Sequence, residues 1–325
     1  MHAPAAPLAS APPALDAGNG RPAASGRYRG AIGDLSTAAW DGGGRRRLQR
    51  KAWIYLSACT ARYSVGYAIV DAGLIATAFV YVFDRETKKL VEEKATLPFG
   101  FASSFAPDWR RPWQLARAGK RWQVTPDAAR GWQVRFESAR LRLALDVERG
   151  GEGLTAISSA PGRPFHHTWK LCAVPSTLRF TLDGVAVDVP ASSAIDFTLG
   201  YPPRSSLWNW ASLDGAADDG RKLGLNLVAH FMNGLENGLW LDGELLPLAQ
   251  ASFAYDPANL MAAWRLRTED GIVDIRFTPE GQRTEHLNAL VLRSQFAQPF
   301  GRFEGHVGQA RVRGFGVVEE HRALW

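Results

Sequence analysis

The segment 195–214, IDFTLGYPPRSSLWNWASLD, places a carboxyl group, an arginine and two tryptophans close together in the chain. If SSLWNWAS forms a strand, Trp208 and Trp210 share one face, because side chains alternate between the two faces of a strand. A carboxyl group in a closed pocket has a raised pKa and can donate a proton, while indole faces stabilise a developing cation. Two interpretations stay open. Asp196 is a catalytic acid in a ligand pocket lined by Arg204 and both tryptophans, or it is a solvated residue beside core tryptophans.

A second group of polar residues interrupts the apolar segment 221–242, RKLGLNLVAHFMNGLENGLWLD. Asn226 and His230 are spaced to lie on one face of a single strand, which predicts a wet pocket wall that contacts a ligand. Glu236 and Asn237 follow in a predicted turn. They are either further ligand contacts or an ordinary solvated loop.

The third group lies in the segment 317–325, VVEEHRALW. Glu319 and His321 would share one strand face, while Glu320 points to the other side. A carboxylate that orients an imidazole is a common acid/base pair, so Glu319 and His321 are candidate catalytic residues. The alternative is an ordinary charged strand.

Metal and cofactor chemistry finds little support in the sequence. His166 and His167 are adjacent, so on a strand they face opposite sides and cannot bind one metal together. Cys59 and Cys172 each lie in a predicted strand, where a small apolar residue is usual. No metal-ligand spacing, phosphate-binding loop or nucleophile elbow occurs, and we therefore expect neither a metal nor a cofactor.

Alternation of apolar and polar residues, as in 140–148, indicates strands throughout the chain, with few helices. The Asp-Gly steps at Asp183, Asp242 and Asp270 predict three hairpins, whereas a fourth step at Asp214 is expected to open a polar loop. Roughly 18 to 20 strands are expected, in antiparallel sheets or barrels. A Pro-rich break near Arg163 suggests two β units, residues 27–163 and residues 164–325.

Residues 1–26 are rich in Ala and Pro and lack the features of a signal peptide, so we expect a disordered tail and a cytoplasmic protein. Proteolytic removal of residues before Arg27 should then leave the melting temperature unchanged. The apolar segment 66–83 carries Asp71 at its centre, which favours two strands over a membrane span.

The net charge of +6 is spread through the 325-residue chain, which gives little support to nucleic-acid binding. The dense basic run is Arg45, Arg46, Arg47, Arg50 and Lys51. It is interpreted as a solvated face, with a phosphate or a transient membrane-surface contact as the alternative.

Several short stretches together resemble a known family. The succession KAWIYLSACTARYSVGYAIVDAG, HTWKLCAVPSTL, AIDFTLG, LWNWAS, LENGLWLDG, VDIRFTPE and VEEHRALW is similar to the domain-of-unknown-function family 2804, over about residues 27–325. That family resembles carotenoid 1,2-hydratases and other lipocalin-like proteins. The resemblance implies an all-β fold of two lipocalin-like, calycin-type antiparallel barrel or sandwich units packed together.

The resemblance to the hydratases also covers particular residues. Asp196, Gly200, Trp208 and Trp210 match a pattern thought to border the hydratase pocket. The hydratase stretch is richer in His and Asn around its Asp than the residues that follow Asp196 here, which puts activation of water in doubt.

Three hypotheses for function follow. The first is an enzyme that binds an apolar, lipid- or isoprenoid-like molecule and protonates a C=C bond through Asp196, leading to hydration, cyclisation or isomerisation. The second is a carrier or sensor that binds the same hydrophobic ligand without a reaction. The third is a carbohydrate-binding or scaffold protein, because Trp faces also stack on sugar rings. The sequence leaves the oligomeric state open.

Overall fold

Strands form nearly all of the regular structure in the computed structural model, which describes residues 7–41, 45–98, 103–289 and 292–325. The helical elements in these ranges are one short helix, α1 (Arg45–Gln49), and one 3₁₀ turn, Met232–Gly234. The expectation of an all-β fold with few helices is therefore confirmed.

The first sheet contains thirteen described strands. They are β1 (Gly26–Arg29), β2 (Lys51–Cys59), β3 (Tyr63–Asp71), β4 (Ile75–Asp84), β5 (Lys89–Pro98), β6 (Ser103–Phe105), β7 (Trp113–Arg117), β8 (Lys120–Asp127), β9 (Gly131–Glu137), β10 (Leu141–Glu148), β11 (Leu154–Ser158), β12 (His166–Leu182) and β13 (Val185–Gly200). Their order is β5-β4-β3-β2-β13-β12-β10-β9-β8-β7-β6, and β11 pairs with both β12 and β1. All of these pairs are antiparallel.

The second sheet contains nine described strands. They are β14 (Ser205–Ala217), β15 (Lys222–Ala229), β16 (Gly238–Leu241), β17 (Glu244–Pro247), β18 (Ala251–Ala254), β19 (Trp264–Thr268), β20 (Val273–Ala289), β21 (Leu292–Val307) and β22 (Ala310–Leu324). The order is β17-β16-β15-β14-β22-β21-β20-β19-β18, again antiparallel throughout.

The chain passes from one sheet to the other between Gly200 and Ser205. This differs from the division expected near Arg163. The Pro-rich break at residues 161–164 is only a loop between β11 and β12, and these two strands pair with each other in the first sheet.

Three of the four Asp-Gly steps form the expected hairpin turns, with Asp183 and Asp242 at positive φ of 49°. The polar loop predicted to follow Asp214, over residues 216–221, begins slightly later than expected, because β14 continues pairing to Ala217 and the loop occupies residues 218–221. The Asp214 carboxyl group is buried and accepts a hydrogen bond from the backbone N–H of Ala173, at 2.8 Å. Burial raises the pKa of Asp214 to about 6.

Residues 7–26 pack against the first sheet, unlike the expected disordered tail; residues 1–6 lie outside the described part of the chain. Ser10 bridges to Arg29 and Ala14 bridges to Asp34. Leu15 is fully buried in the same apolar cluster as Trp40. This burial explains why a segment of low-complexity composition is ordered.

The basic run is only partly a solvated face. Arg50 is buried and forms an ion pair with Asp41. Lys51 is also buried and donates a hydrogen bond to the carbonyl of Ala72, at 2.7 Å. The side chain of Arg45 lies outside the described residues. Within the described ranges, no helix combines the length and the apolar character that crossing a membrane requires.

A cluster of aromatic and aliphatic side chains joins the two sheets face to face, including Tyr55 and Phe79 from the first sheet and Trp210 and Phe300 from the second. Tyr55 packs edge-on against Trp210 with ring centroids 5.2 Å apart. The two sheets therefore share a buried interface, and the candidate site lies in it.

We predict that Leu15→Ala lowers the free energy of unfolding by about 2–5 kcal/mol, because it leaves a cavity in the core. The matched control is Arg21→Ala, an exposed change in the same segment, which should cost less than about 0.5 kcal/mol. Urea denaturation measures both. Equal, small effects would show that residues 7–26 contribute nothing to stability.

Candidate functional site

A cavity of about 120 Å³ lies between the two sheets. The first sheet lines it with residues of β2, β3, β4, β12 and β13, and the second with residues of β14, β15, β21 and β22. The lining residues that are partly exposed are mostly aromatic, so the mouth of the cavity is aromatic. These mouth residues are Trp53, Val70, Trp208, Phe231, Phe296, His321 and Trp325.

One wall of the cavity is a ladder of polar side chains on two paired strands. On β12, His166, Thr168 and Lys170 are every second residue and therefore face the same side. On β13, Thr198 lies opposite Thr168, and Asp196 lies opposite Lys170. The register thus gathers five polar side chains on one buried surface.

Three charged groups meet at the inner end of this ladder. The Lys170 ammonium lies 2.6 Å from Asp196 Oδ1 and 3.3 Å from Glu236 Oε1, and all three side chains are buried. Burial alone would lower the pKa of Lys170, but attraction to Asp196 and Glu236 outweighs it and raises the pKa. Burial raises the pKa of Glu236, and repulsion from Asp196 adds to the rise against the opposing effect of Lys170.

The opposite wall carries Glu319, on β22 of the second sheet. Its Oε1 accepts a hydrogen bond from Trp208 Nε1 at 2.8 Å, and its Oε2 accepts one from Gln298 Nε2 at 3.0 Å. Burial raises the pKa of Glu319 to about 7, and repulsion from Asp196 also raises it, while the two hydrogen bonds partly offset the rise. This carboxyl group therefore titrates near neutral pH, where it can both donate and accept a proton.

His321 shares the cavity with Glu319 but forms no acid/base pair with it in this geometry. Its Nδ1 lies 3.9 Å from Glu319 Oε1, which is too far for a hydrogen bond. Its Nε2 instead lies 2.7 Å from the hydroxyl oxygen of Ser294. Burial, aided by repulsion from Arg283, lowers the pKa of His321 to about 3, so the imidazole is neutral.

Asn226 and Asn237 lie behind the cavity wall. Asn226 Oδ1 accepts a hydrogen bond from Trp210 Nε1 at 2.8 Å, and its amide nitrogen donates to the carbonyl of Glu236. Asn237 Oδ1 accepts from the backbone N–H of Val228 at 2.7 Å. Asn226 thus connects the Trp210 indole to the backbone of Glu236, whereas Asn237 connects β15 to the carbonyl of Ala249.

His230 and Arg204 lie away from the cavity. The expectation that His230 shares a strand face with Asn226 is wrong, because β15 ends at Ala229 and His230 is exposed at a positive φ of 65°. Arg204 is exposed and donates a hydrogen bond to the backbone carbonyl of Trp325.

The structure adds Lys170, His166, Thr198 and Gln298 to the residues singled out from the sequence. The available signal was the alternation H-x-T-x-K in HHTWKL, which places polar side chains on one face of a strand. That signal alone does not distinguish a cavity wall from a solvated face.

The fold and the site together define an all-β protein with a polar and aromatic cavity between two curled antiparallel sheets. A profile of the family described as domain of unknown function DUF2804 matches residues 9–325, so the chain belongs to this family. This confirms the resemblance noted from the sequence. No curated protein matches the chain.

Solved structures share this fold at low sequence identity. A candidate AttH protein from Nitrosomonas europaea is 16% identical with a TM-score of 0.54, and the match covers 88% of this chain and 96% of that one. The structure of CghA is 13% identical with a TM-score of 0.51, over 96% and 97% of the two chains. Kievitone hydratase from Nectria haematococca is 16% identical with a TM-score of 0.45, over 83% and 88%. The first two similarities support the lipocalin-like fold and nothing finer.

We predict that Lys170→Met lowers the free energy of unfolding by about 3–5 kcal/mol near neutral pH, because it leaves Asp196 and Glu236 buried without their nearest cation. The loss should shrink as the pH falls, since protonated carboxyl groups need no counter-charge. Urea denaturation at several pH values measures it. Lys222→Met, at an exposed position of β15, is the control, and a loss as large there would contradict the prediction.

Proposed function

We propose that this protein binds an apolar small molecule in the cavity between its sheets and protonates a C=C bond of that molecule through Glu319. The observation that carries the proposal is a buried carboxyl group with a pKa of about 7 in the wall of an aromatic cavity. A general acid works best when its pKa lies near the operating pH.

Isomerisation and cyclisation need no further reagent, and hydration needs only water. The proton of Glu319 forms a new C–H bond with the electron pair of the alkene, which leaves a carbocation and a carboxylate. The indole faces of Trp208 and Trp210 stabilise the cation. Loss of a neighbouring proton to the Glu319 carboxylate gives an isomer. Attack by a second C=C bond of the same molecule forms a ring and a new carbocation, which then loses a proton to Glu319. Attack by water gives an oxonium ion, which loses a proton to Glu319 and leaves an alcohol.

Glu319 is a better acid in this proposal than Asp196, the acid expected from the sequence. Asp196 lies 2.6 Å from the Lys170 ammonium. The Asp196 carboxyl group is thus already engaged in an ion pair within the wall, whereas Glu319 contacts only neutral donors. In the proposal, Asp196 and Lys170 form the polar wall against which the ligand lies.

The size and lining of the cavity favour a ligand, or part of a ligand, of about one ring. Cavities of roughly 150 Å³ bind benzene, and this one is about 120 Å³. The same cavity would serve a carrier that binds without reaction, so turnover must be tested directly. A carbohydrate-binding role is the remaining alternative, and retention on a glycan array without binding of apolar probes would support it.

We predict that the protein in deuterium oxide catalyses hydration of dihydropyran, an electron-rich ring alkene, and places deuterium on the protonated carbon. Glu319→Gln should reduce the rate at least about 100-fold, as expected when general acid catalysis is lost. NMR and mass spectrometry follow the product.

Glu320→Gln is the matched control for this experiment, because Glu320 is the next residue and contacts Tyr255 and Arg322. Its rate should equal that of the unmodified protein. Binding of dihydropyran without any turnover would support the carrier, and equal turnover in both variants would exclude Glu319 as the acid.

We also predict a pH dependence that follows the protonation of Glu319. With a pKa of about 7, the rate constant should be level below pH 7 and fall about tenfold per unit above it, since only the protonated acid is active. Steady-state rates across this range measure it. A rate that rises with pH would point to a base instead.

A further inference from the structure

His166 lines the cavity in an unusual state for a buried histidine. Its side chain is on the polar wall and the residue is only 5% exposed. Neither Nδ1 nor Nε2 has a hydrogen-bond partner among the residues that the structure describes. Its ring contacts are aromatic, with the centroid 4.8 Å from that of Phe231 and 6.3 Å from that of Trp53.

The imidazole is neutral at physiological pH. Burial is the main cause, and repulsion from Lys170 and His167 adds to it, so the pKa of His166 is lowered to about 3. A neutral imidazole has one N–H donor and one acceptor nitrogen. Leaving both unpaired in the interior is unfavourable, and most buried polar groups in proteins are paired.

The adjacent histidine provides an internal comparison. His167 faces the other side of β12, where its Nδ1 lies 3.2 Å from the carbonyl oxygen of Ala156. A buried histidine with a structural role is expected to form such a contact. His166 forms none in the described part of the chain and, unlike His167, lines the cavity, so both of its ring nitrogens are available to a bound molecule.

The position of the His166 ring depends on the residue opposite it. Gly200 lies opposite His166 on β13, and a Cβ atom there would come 2.7 Å from the Cα and 2.8 Å from Nδ1 of His166, so any larger residue would displace the ring. Thr198 is the next cavity-facing residue along β13, and its hydroxyl oxygen also lacks a partner in the described structure. These two unpaired groups lie on the side of the ladder away from the ion pair of Lys170 with Asp196: His166 is four residues from Lys170 along β12, and Thr198 is two residues from Asp196 along β13.

We propose that the ligand of this cavity carries a hydroxyl or carbonyl oxygen and that His166 forms a hydrogen bond to that oxygen. The inference rests on the proposed binding function and narrows the class of ligand, because a pure hydrocarbon is then not the preferred ligand. His166 is then a specificity-determining residue on the first sheet. Glu319, on the second sheet, faces a different part of the same ligand.

The test uses two probes of the same shape, p-cresol and p-xylene, which differ by one hydroxyl group. Isothermal titration calorimetry gives the ratio of their dissociation constants for each variant. We expect His166→Phe to shift this ratio at least about tenfold towards p-xylene, while His166→Gln, which keeps a donor and an acceptor, retains part of the preference. His167→Phe is the matched control on the opposite strand face and should leave the ratio unchanged.

The melting temperature provides a second measurement, because it would fall on substitution if His166 had a structural role. Because His166 has no internal hydrogen bond to lose, His166→Phe should leave the melting temperature unchanged or raise it. In the unmodified protein, the ¹⁵N resonances of the His166 ring should shift on addition of p-cresol and not of p-xylene.

The outcomes separate this inference from the proposed function. An unchanged probe ratio in His166→Phe, or a large drop in its melting temperature, overturns the inference while p-xylene binding still supports an apolar cavity. If neither probe binds the unmodified protein, the inference and the binding function both fail.

Discussion

The rest of the structure depends on one interaction, the ion pairs of the Lys170 ammonium group, which is buried between the two sheets. Lys170 lies on β12 of the first sheet, and one of its two carboxylate partners, Glu236, comes from the loop before β16 of the second. Charges taken out of water are tolerated only while they stay in contact. The two sheets must therefore keep a constant separation at this point. The polar wall also keeps the cavity open. If the two sheets closed on each other, its polar groups would be buried against aromatic rings, which costs free energy.

Two of the carboxyl groups that line the cavity, Asp196 and Glu319, differ in their surroundings. Asp196 has a cation in contact, whereas Glu319 has neutral donors, the Trp208 indole and the Gln298 amide. Differences in environment of this kind let the carboxyl groups of one site take different roles. The aromatic interface supplies this difference, since it removes water from Glu319 without providing a counter-charge.

The alternation of residues was enough to predict the strands, and the Asp-Gly steps predicted three hairpins. The sequence also identified Asp196, Glu319 and Trp208 as candidate site residues. The partners of these residues could not be found in the same way, because the pairing of Lys170 with Asp196 depends on the register of β12 against β13, and the contact of Gln298 with Glu319 depends on β21 against β22. The chain passes from the first sheet to the second near Gly200, and the sequence there shows no stronger break than the loop at Arg163. Composition therefore placed the boundary between the two β units at the wrong position.

The order of the strands along the chain has a consequence for assembly during synthesis. In the second sheet, β22 inserts between β14 and β21, although it follows every other described strand in sequence. Until β22 emerges from the ribosome, the edge of β14 is unpaired and open to wrong partners. Glu319 arrives on this strand. A nascent chain can thus complete the wall with Lys170 long before it acquires Glu319.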